Sequence, residues 1–153
     1  MSQSLSQHLA DAVKAAMRAK DTARLGTLRF LQAAIKQKEV DERRELTDAD
    51  VTAIIEKQVK QRRESIVAFE NAGRTETAAQ ELAELEVLQE FLPQQASPEE
   101  LDAAIGKALA DVAAQGVSGA PAMGKVMAIL KAELAGRADM AAVSGLVKQR
   151  LMP

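Results

Sequence analysis

From one end of this chain to the other, apolar residues recur three and four positions apart, and strict apolar–polar alternation is sustained nowhere. A period of 3.6 residues keeps such positions on one face of an α-helix, whereas a strand needs a period of two. The residues between them are mostly Ala, Glu, Gln, Lys and Arg, which favour helix intrinsically. The expected fold class is therefore all-α.

Stop and start signals divide the pattern into seven helices. Leu5, Leu9, Val13 and Met17 mark a first helix ending near Lys20, and Asp21 can cap a second along Leu25, Leu28, Leu31 and Ile35. Thr47, with Asp50 three residues on, makes a capping-box start for a long helix through Val51, Ile54, Ile55, Val59, Ile66 and Phe69, which stops at Asn71 to Gly73. A fourth helix runs from about Thr75 through Leu82, Leu85, Leu88 and Phe91 to Leu92, where Pro93 disfavours another turn. Ser97-Pro98-Glu99-Glu100 restarts helix, carrying Leu101, Ile105, Leu109 and Val112. After the turn at Gly116 to Pro121 comes a helix with Met123, Val126, Met127, Leu130 and Leu134. Gly136 closes it, and Asp139 can cap the last, with Val143, Leu146, Val147 and Leu151. The pattern predicts a four-helix N-terminal bundle at residues 1–93, a hinge, and a small three-helix C-terminal domain at residues 97–153. At 57 residues the second domain is near the lower limit for folding alone.

Composition removes many chemistries. With 153 residues, 47% of them hydrophobic, the chain can bury a core. The absence of cysteine excludes disulfides, cysteine-ligated metals and thiolate nucleophiles, and the single His8 cannot form a metal cage, so no metal and no cofactor is expected. His8 is expected to sit solvated on the first helix. Phe30, Phe69 and Phe91 are the only aromatics, which offers little for stacking single-stranded bases. No apolar run approaches the roughly 18 to 20 residues of a membrane span, and Met1 to Ala10 lacks the pattern of a leader. The expectation is a soluble, cytoplasmic protein with no membrane partner and no catalytic residues.

The net charge of −2 excludes a globally basic nucleic-acid binder, so any anion site must be local. Lys57 to Arg63 holds four bases and no acid, whereas Glu64 to Glu90 holds seven acids against Arg74 alone. On a helical wheel Arg62 falls about 20° from Val51, on the apolar stripe. A guanidinium there needs a partner, and a salt bridge to Glu81, Glu84 or Asp50 is preferred to an exposed anion-binding arginine. Lys60 and Arg63 fall away from the stripe and complete a secondary basic patch with Arg62. From Pro121 onward, Lys125, Lys131, Arg137, Lys148 and Arg150 outnumber Glu133 and Asp139, so a phosphate-binding surface is plausible there. Gly124 lies inside a helix at a cost of about 1 kcal/mol relative to Ala, which suggests close approach by another helix or by a ligand. Met123 and Met127 read as core.

Arg43-Arg44-Glu45-Leu46-Thr47, Lys60-Gln61-Arg62-Arg63-Glu64-Ser65-Ile66, Phe69, Gly73-Arg74, Leu92-Pro93, Met123-Gly124-Lys125-Val126-Met127 and Gly136-Arg137-Ala138-Asp139 resemble, in order and spacing, the YqeY family of small bacterial proteins. The resemblance covers essentially the whole chain. That family is related to the C-terminal tail domain of GatB, a component of the glutamine-dependent aspartyl/glutamyl-tRNA amidotransferase, whose tail motif is similar to Gly124-Lys125-Val126-Met127 and to Gly136-Arg137-Ala138-Asp139. Here Asp139 stands where the motif has Asn, and Met140 where it has Pro. The resemblance implies a two-part helical module that binds tRNA by shape, its C-terminal piece at the tRNA elbow, with no catalytic site of its own. The residues it points to are Gly124, Lys125, Lys131, Gly136, Arg137, Lys148 and Arg150.

Two other classes compete with a tRNA-binding accessory module. One is a helical module that docks on an aminoacyl-tRNA synthetase or amidotransferase through the acidic Glu64 to Glu90 segment. The other is an independent ligase or amidase, which rests on the family's association with amide transfer alone.

Overall fold

The computed structural model describes residues 3–151. Among these residues there are seven α-helices and no strand: α1 (Leu5–Arg18), α2 (Thr22–Glu42), α3 (Asp48–Asn71), α4 (Thr75–Gln89), α5 (Pro98–Ala114), α6 (Ala120–Glu133) and α7 (Met140–Leu151). The all-α expectation holds. The chain separates into two compact units, one ending at Leu92 and one beginning at Pro93. The outer limits of the expected domains, residues 1 and 153, lie outside the described residues.

In the first unit α4 lies along α3, and α2 contacts α1, α3 and α4. Leu9, Val13, Leu28, Leu31, Ile35, Val51, Ile55, Val59, Leu85, Leu88 and Phe91 form one core. The helix starts are fixed by side chains. Ser4 Oγ accepts from Gln7 N at 3.1 Å, and Asp21 Oδ1 accepts from Arg24 N at 3.1 Å. Thr47 and Asp50 form a reciprocal capping box, with Asp50 N donating to Thr47 Oγ1 at 3.2 Å and Thr47 N donating to Asp50 Oδ2 at 2.9 Å. Arg44 donates to the same carboxylate at 2.7 Å. That guanidinium first, and then the Thr47 donors, hold the Asp50 carboxyl well below the usual carboxylate range.

The second unit packs α6 against both α5 and α7 over Ile105, Ala108, Val112, Val126, Leu130, Val143 and Val147. Met123 and Met127 are half-buried against that core, as expected. Ser97 Oγ accepts from Glu100 N at 3.1 Å with Pro98 in the first turn, and Asp139 Oδ1 accepts from Ala141 N at 3.1 Å.

Two details differ from the sequence pattern. α4 stops at Gln89, not Leu92. Residues 90–92 tighten into three-residue bonds, Phe91 N to Leu88 O at 3.1 Å and Leu92 N to Gln89 O at 3.1 Å, because Pro93 keeps the preceding backbone out of the helical region. This turn carries Phe91 into the core. Met17, Leu82 and Leu146, all expected on apolar stripes, are exposed. Fixed steps of three or four residues drift around a helix of 3.6 residues per turn, so the core side chain near Met17 is Ala16 instead.

Candidate functional site

Arg62 has a half-buried side chain on α3 and bonds both Glu81, at 3.2 Å, and Glu84 on α4. The expected salt bridge is present, with two of the three proposed carboxylates as its acceptors; Asp50 is taken by Arg44. The guanidinium also lies 5.8 Å from the centre of the Phe30 ring. Its positive charge is balanced within the fold, whereas Lys60 and Arg63 are exposed. His8 is also exposed, as expected, and its ring packs 4.9 Å from that of Phe91.

The C-terminal candidates divide into two groups. Gly136, Arg137 and Arg150 make hydrogen bonds or ion pairs within the second unit. Gly136 is buried at φ 74°, a left-handed conformation that a β-carbon strains, and its carbonyl accepts from Gln95 Nε2 at 2.8 Å. The Arg137 carbonyl accepts from Ala96 N at 2.8 Å, its Nε donates to Gln94 O at 2.9 Å, and its Nη2 pairs with Glu100. Arg150 pairs with Asp102, joining the end of α7 to α5.

Gly124, Lys125, Lys131 and Lys148 form the other group. All four are exposed, and none of the three lysines makes an ion pair among the described residues. Gly124 and Lys131, seven residues apart, share one face of α6. A β-carbon built on Gly124 meets no atom within 4 Å, so packing within the described unit does not require glycine there. Lys131 and Lys148 occupy the last turns of α6 and α7, where a cation also favours the helix dipole.

Similarity to known proteins extends beyond these positions to nearly the whole chain. The family model for YqeY-like proteins matches residues 6–151. The chain belongs to the YqeY family. Similar curated proteins include two named "Altered inheritance of mitochondria protein 41, mitochondrial". That of Eremothecium gossypii is 40% identical over 86 residues, 56% of this chain and 47% of that protein. That of Pyrenophora tritici-repentis is 32% identical over 121 residues, 78% of this chain and 67% of that protein. A third protein of that name, from Lachancea thermotolerans, is 33% identical over 65% of this chain and 55% of its own length. The chain thus spans about half to two thirds of these relatives.

These names correct one expectation. The relatives are fungal proteins. The cytoplasmic location is overturned, because the relatives are named as mitochondrial proteins and the features behind the expectation do not distinguish one aqueous compartment from another. No helix among the described residues is long and apolar enough to cross a membrane, and no group of three or more His, Asp or Glu among them is arranged to hold a metal.

Sequence reasoning passed over Gln58. It is 7% exposed and its Oε1 is buried without a hydrogen-bond partner. The signal was available, since Gln58 lies seven residues after Val51 on the same stripe as Arg62. Arg62 Nε is likewise buried and unpaired.

Proposed function

We propose that this YqeY-family protein is a non-catalytic tRNA-binding accessory module, which holds folded tRNA through its backbone and shape. Residues 1–93 act as a four-helix bundle and residues 97–153 as a separate three-helix domain that engages the tRNA elbow. The observation that carries this reading is on α6 and α7: Lys125, Lys131 and Lys148 are exposed and carry charge that no carboxylate among the described residues neutralises, and Gly124 leaves its backbone bare on α6. Such lysines suit phosphate contacts, which position a protein on a duplex without reading its bases. The scarcity of aromatic residues agrees with recognition of shape. Arg137, Arg150 and Gly136 support the site by fixing the second unit.

A mobility-shift titration with total tRNA in the presence of heparin tests the proposal. A tRNA complex that survives an equal mass of heparin is expected; equal competition, or no complex, contradicts it. Docking on an aminoacyl-tRNA synthetase or amidotransferase is the second reading. Its acidic surface is reduced by internal pairing, since Glu81 and Glu84 bind Arg62 and Glu90 binds Arg24 at 2.5 Å. A complex with such an enzyme that survives nuclease treatment would favour it.

A further inference from the structure

A groove of about 500 Å³ runs between α2 and α3, lined by Phe30, Ala34 and Lys38 on one side and by Ile54, Lys57 and Gln58 on the other. An adjoining hollow of about 180 Å³ shares Phe30, Gln58 and Gln61 and adds Arg62, Ser65 and Glu81, whose carboxylate is paired with Arg62. The groove is in the size range of small-ligand sites, about 300–1,000 Å³. Four features of its lining point to a ligand, although the Arg62 guanidinium already covers part of the Phe30 ring.

Phe30 is 61% exposed in a chain with only three aromatic residues. The Gln58 side chain is more than nine-tenths buried, lines both hollows and leaves its Oε1 acceptor without a donor. One helical turn on, Arg62 Nε–H is a buried donor without an acceptor. Positive charge stands beside them, with Lys57 exposed and Lys38 only loosely paired to Glu42 at 3.7 Å. A buried polar group left unpaired costs about 1–3 kcal/mol, so an orphan acceptor and an orphan donor on residues one helical turn apart favour a ligand that satisfies both.

Such a ligand needs a flat apolar face for Phe30, a donor and an acceptor side by side on one edge, and an anionic group for the lysines. A nucleobase edge presents that donor–acceptor pair, its ring stacks on an aromatic side chain, and its phosphate supplies the anion. We propose that the α2–α3 groove binds one nucleotide, with the base against Phe30, the base edge on Gln58 and Arg62, and the phosphate toward Lys57. A free mononucleotide and the terminal nucleotide of a single strand share this chemistry. The groove lies in the first unit and uses none of the α6–α7 lysines, so it stands or falls separately from the tRNA surface proposed above.

The test is a titration of the isotope-labelled full-length protein with AMP, followed by NMR, with ribose 5-phosphate as the probe that lacks a base. AMP is expected to shift the Gln58 side-chain amide and the Phe30 ring signals saturably, and to bind at least about fivefold tighter than ribose 5-phosphate. Gln58→Leu, which removes the orphan acceptor while keeping an apolar stem in the core, should weaken AMP by about five- to tenfold. Phe30→Ala, at an exposed position, should weaken it while leaving the circular dichroism unchanged. A pentanucleotide that shifts the same signals more tightly than AMP assigns the groove to a strand end, and one that binds no better assigns it to the free nucleotide. The proposal is overturned if AMP gives no saturable shift, if ribose 5-phosphate binds equally well, or if both variants bind AMP like the parent protein.

Discussion

Arg62 shows how far a single residue can be read from sequence. Its place on an apolar stripe announced an internal partner, and two carboxylates supply one. Removing one member of a buried pair costs about 3–5 kcal/mol, but both glutamates here are about a quarter exposed. Arg62→Ala should therefore destabilise the protein by a smaller amount, about 1–3 kcal/mol in urea unfolding, and adding Glu84→Ala should cost less than the sum of the single changes. Full additivity would mean that the pair contributes nothing. Gly124 gives the opposite sign. With open space at its β-carbon, Gly124→Ala should stabilise α6 by about 1 kcal/mol, raising the thermal midpoint, while weakening tRNA binding if bare backbone is what the RNA approaches. A loss of stability would show that the helix needs glycine there. Arg137 was legible only as a cation, because its role depends on residues 94–100, some 40 positions away in sequence.

Helices were legible wherever a short polar side chain caps them, because capping is local chemistry. Asp21, Thr47, Ser97 and Asp139 each bond the backbone at the helix start that the sequence assigns. Thr47→Ala should cost about 1 kcal/mol of stability, measured by chemical unfolding. The same cap predicts a pH response. Asp50 has a carboxyl pKa depressed in the folded protein, so its contribution is fully present above the ordinary carboxylate value near 3.8 and is lost as pH falls through the lower folded value. Urea midpoints should therefore be insensitive to this group from neutral pH down to about 4 and should fall below that, and Asp50→Asn should remove that component of the acid sensitivity. An unchanged acid response in Asp50→Asn would contradict the cap. The end of α4 and the exposure of Met17 were less legible, since the tightened turn before Pro93 takes up three residues and a repeated step of four drifts around a helix of 3.6 residues per turn.

For the whole molecule, the all-α class followed directly from apolar periodicity, whereas the extent of each unit depends on contacts that periodicity does not encode. The stretch after Pro93 reads as a hinge in sequence, yet Gln94, Gln95 and Ala96 all bond Gly136 or Arg137. A fragment of residues 93–153 should therefore melt cooperatively, and one beginning at residue 97 should melt at a lower temperature by circular dichroism. Equal midpoints would show that these bonds add nothing. The candidate surface was legible as a charge excess, but only the fold separates the arginines that brace the second unit from the lysines left exposed.

The central claim, that those lysines hold tRNA, is tested most directly by fluorescence anisotropy of labelled total tRNA across a salt series. The parent protein is compared with the Lys125→Ala/Lys131→Ala/Lys148→Ala variant, which leaves the arginine braces intact. Log affinity should fall linearly with log salt, and the slope should shrink by about 0.7–0.9 for each phosphate that the variant no longer neutralises, so by about 2 to 3 with all three lysines replaced. An unchanged slope in that variant, or no tRNA binding by the parent protein at low salt, would contradict the account.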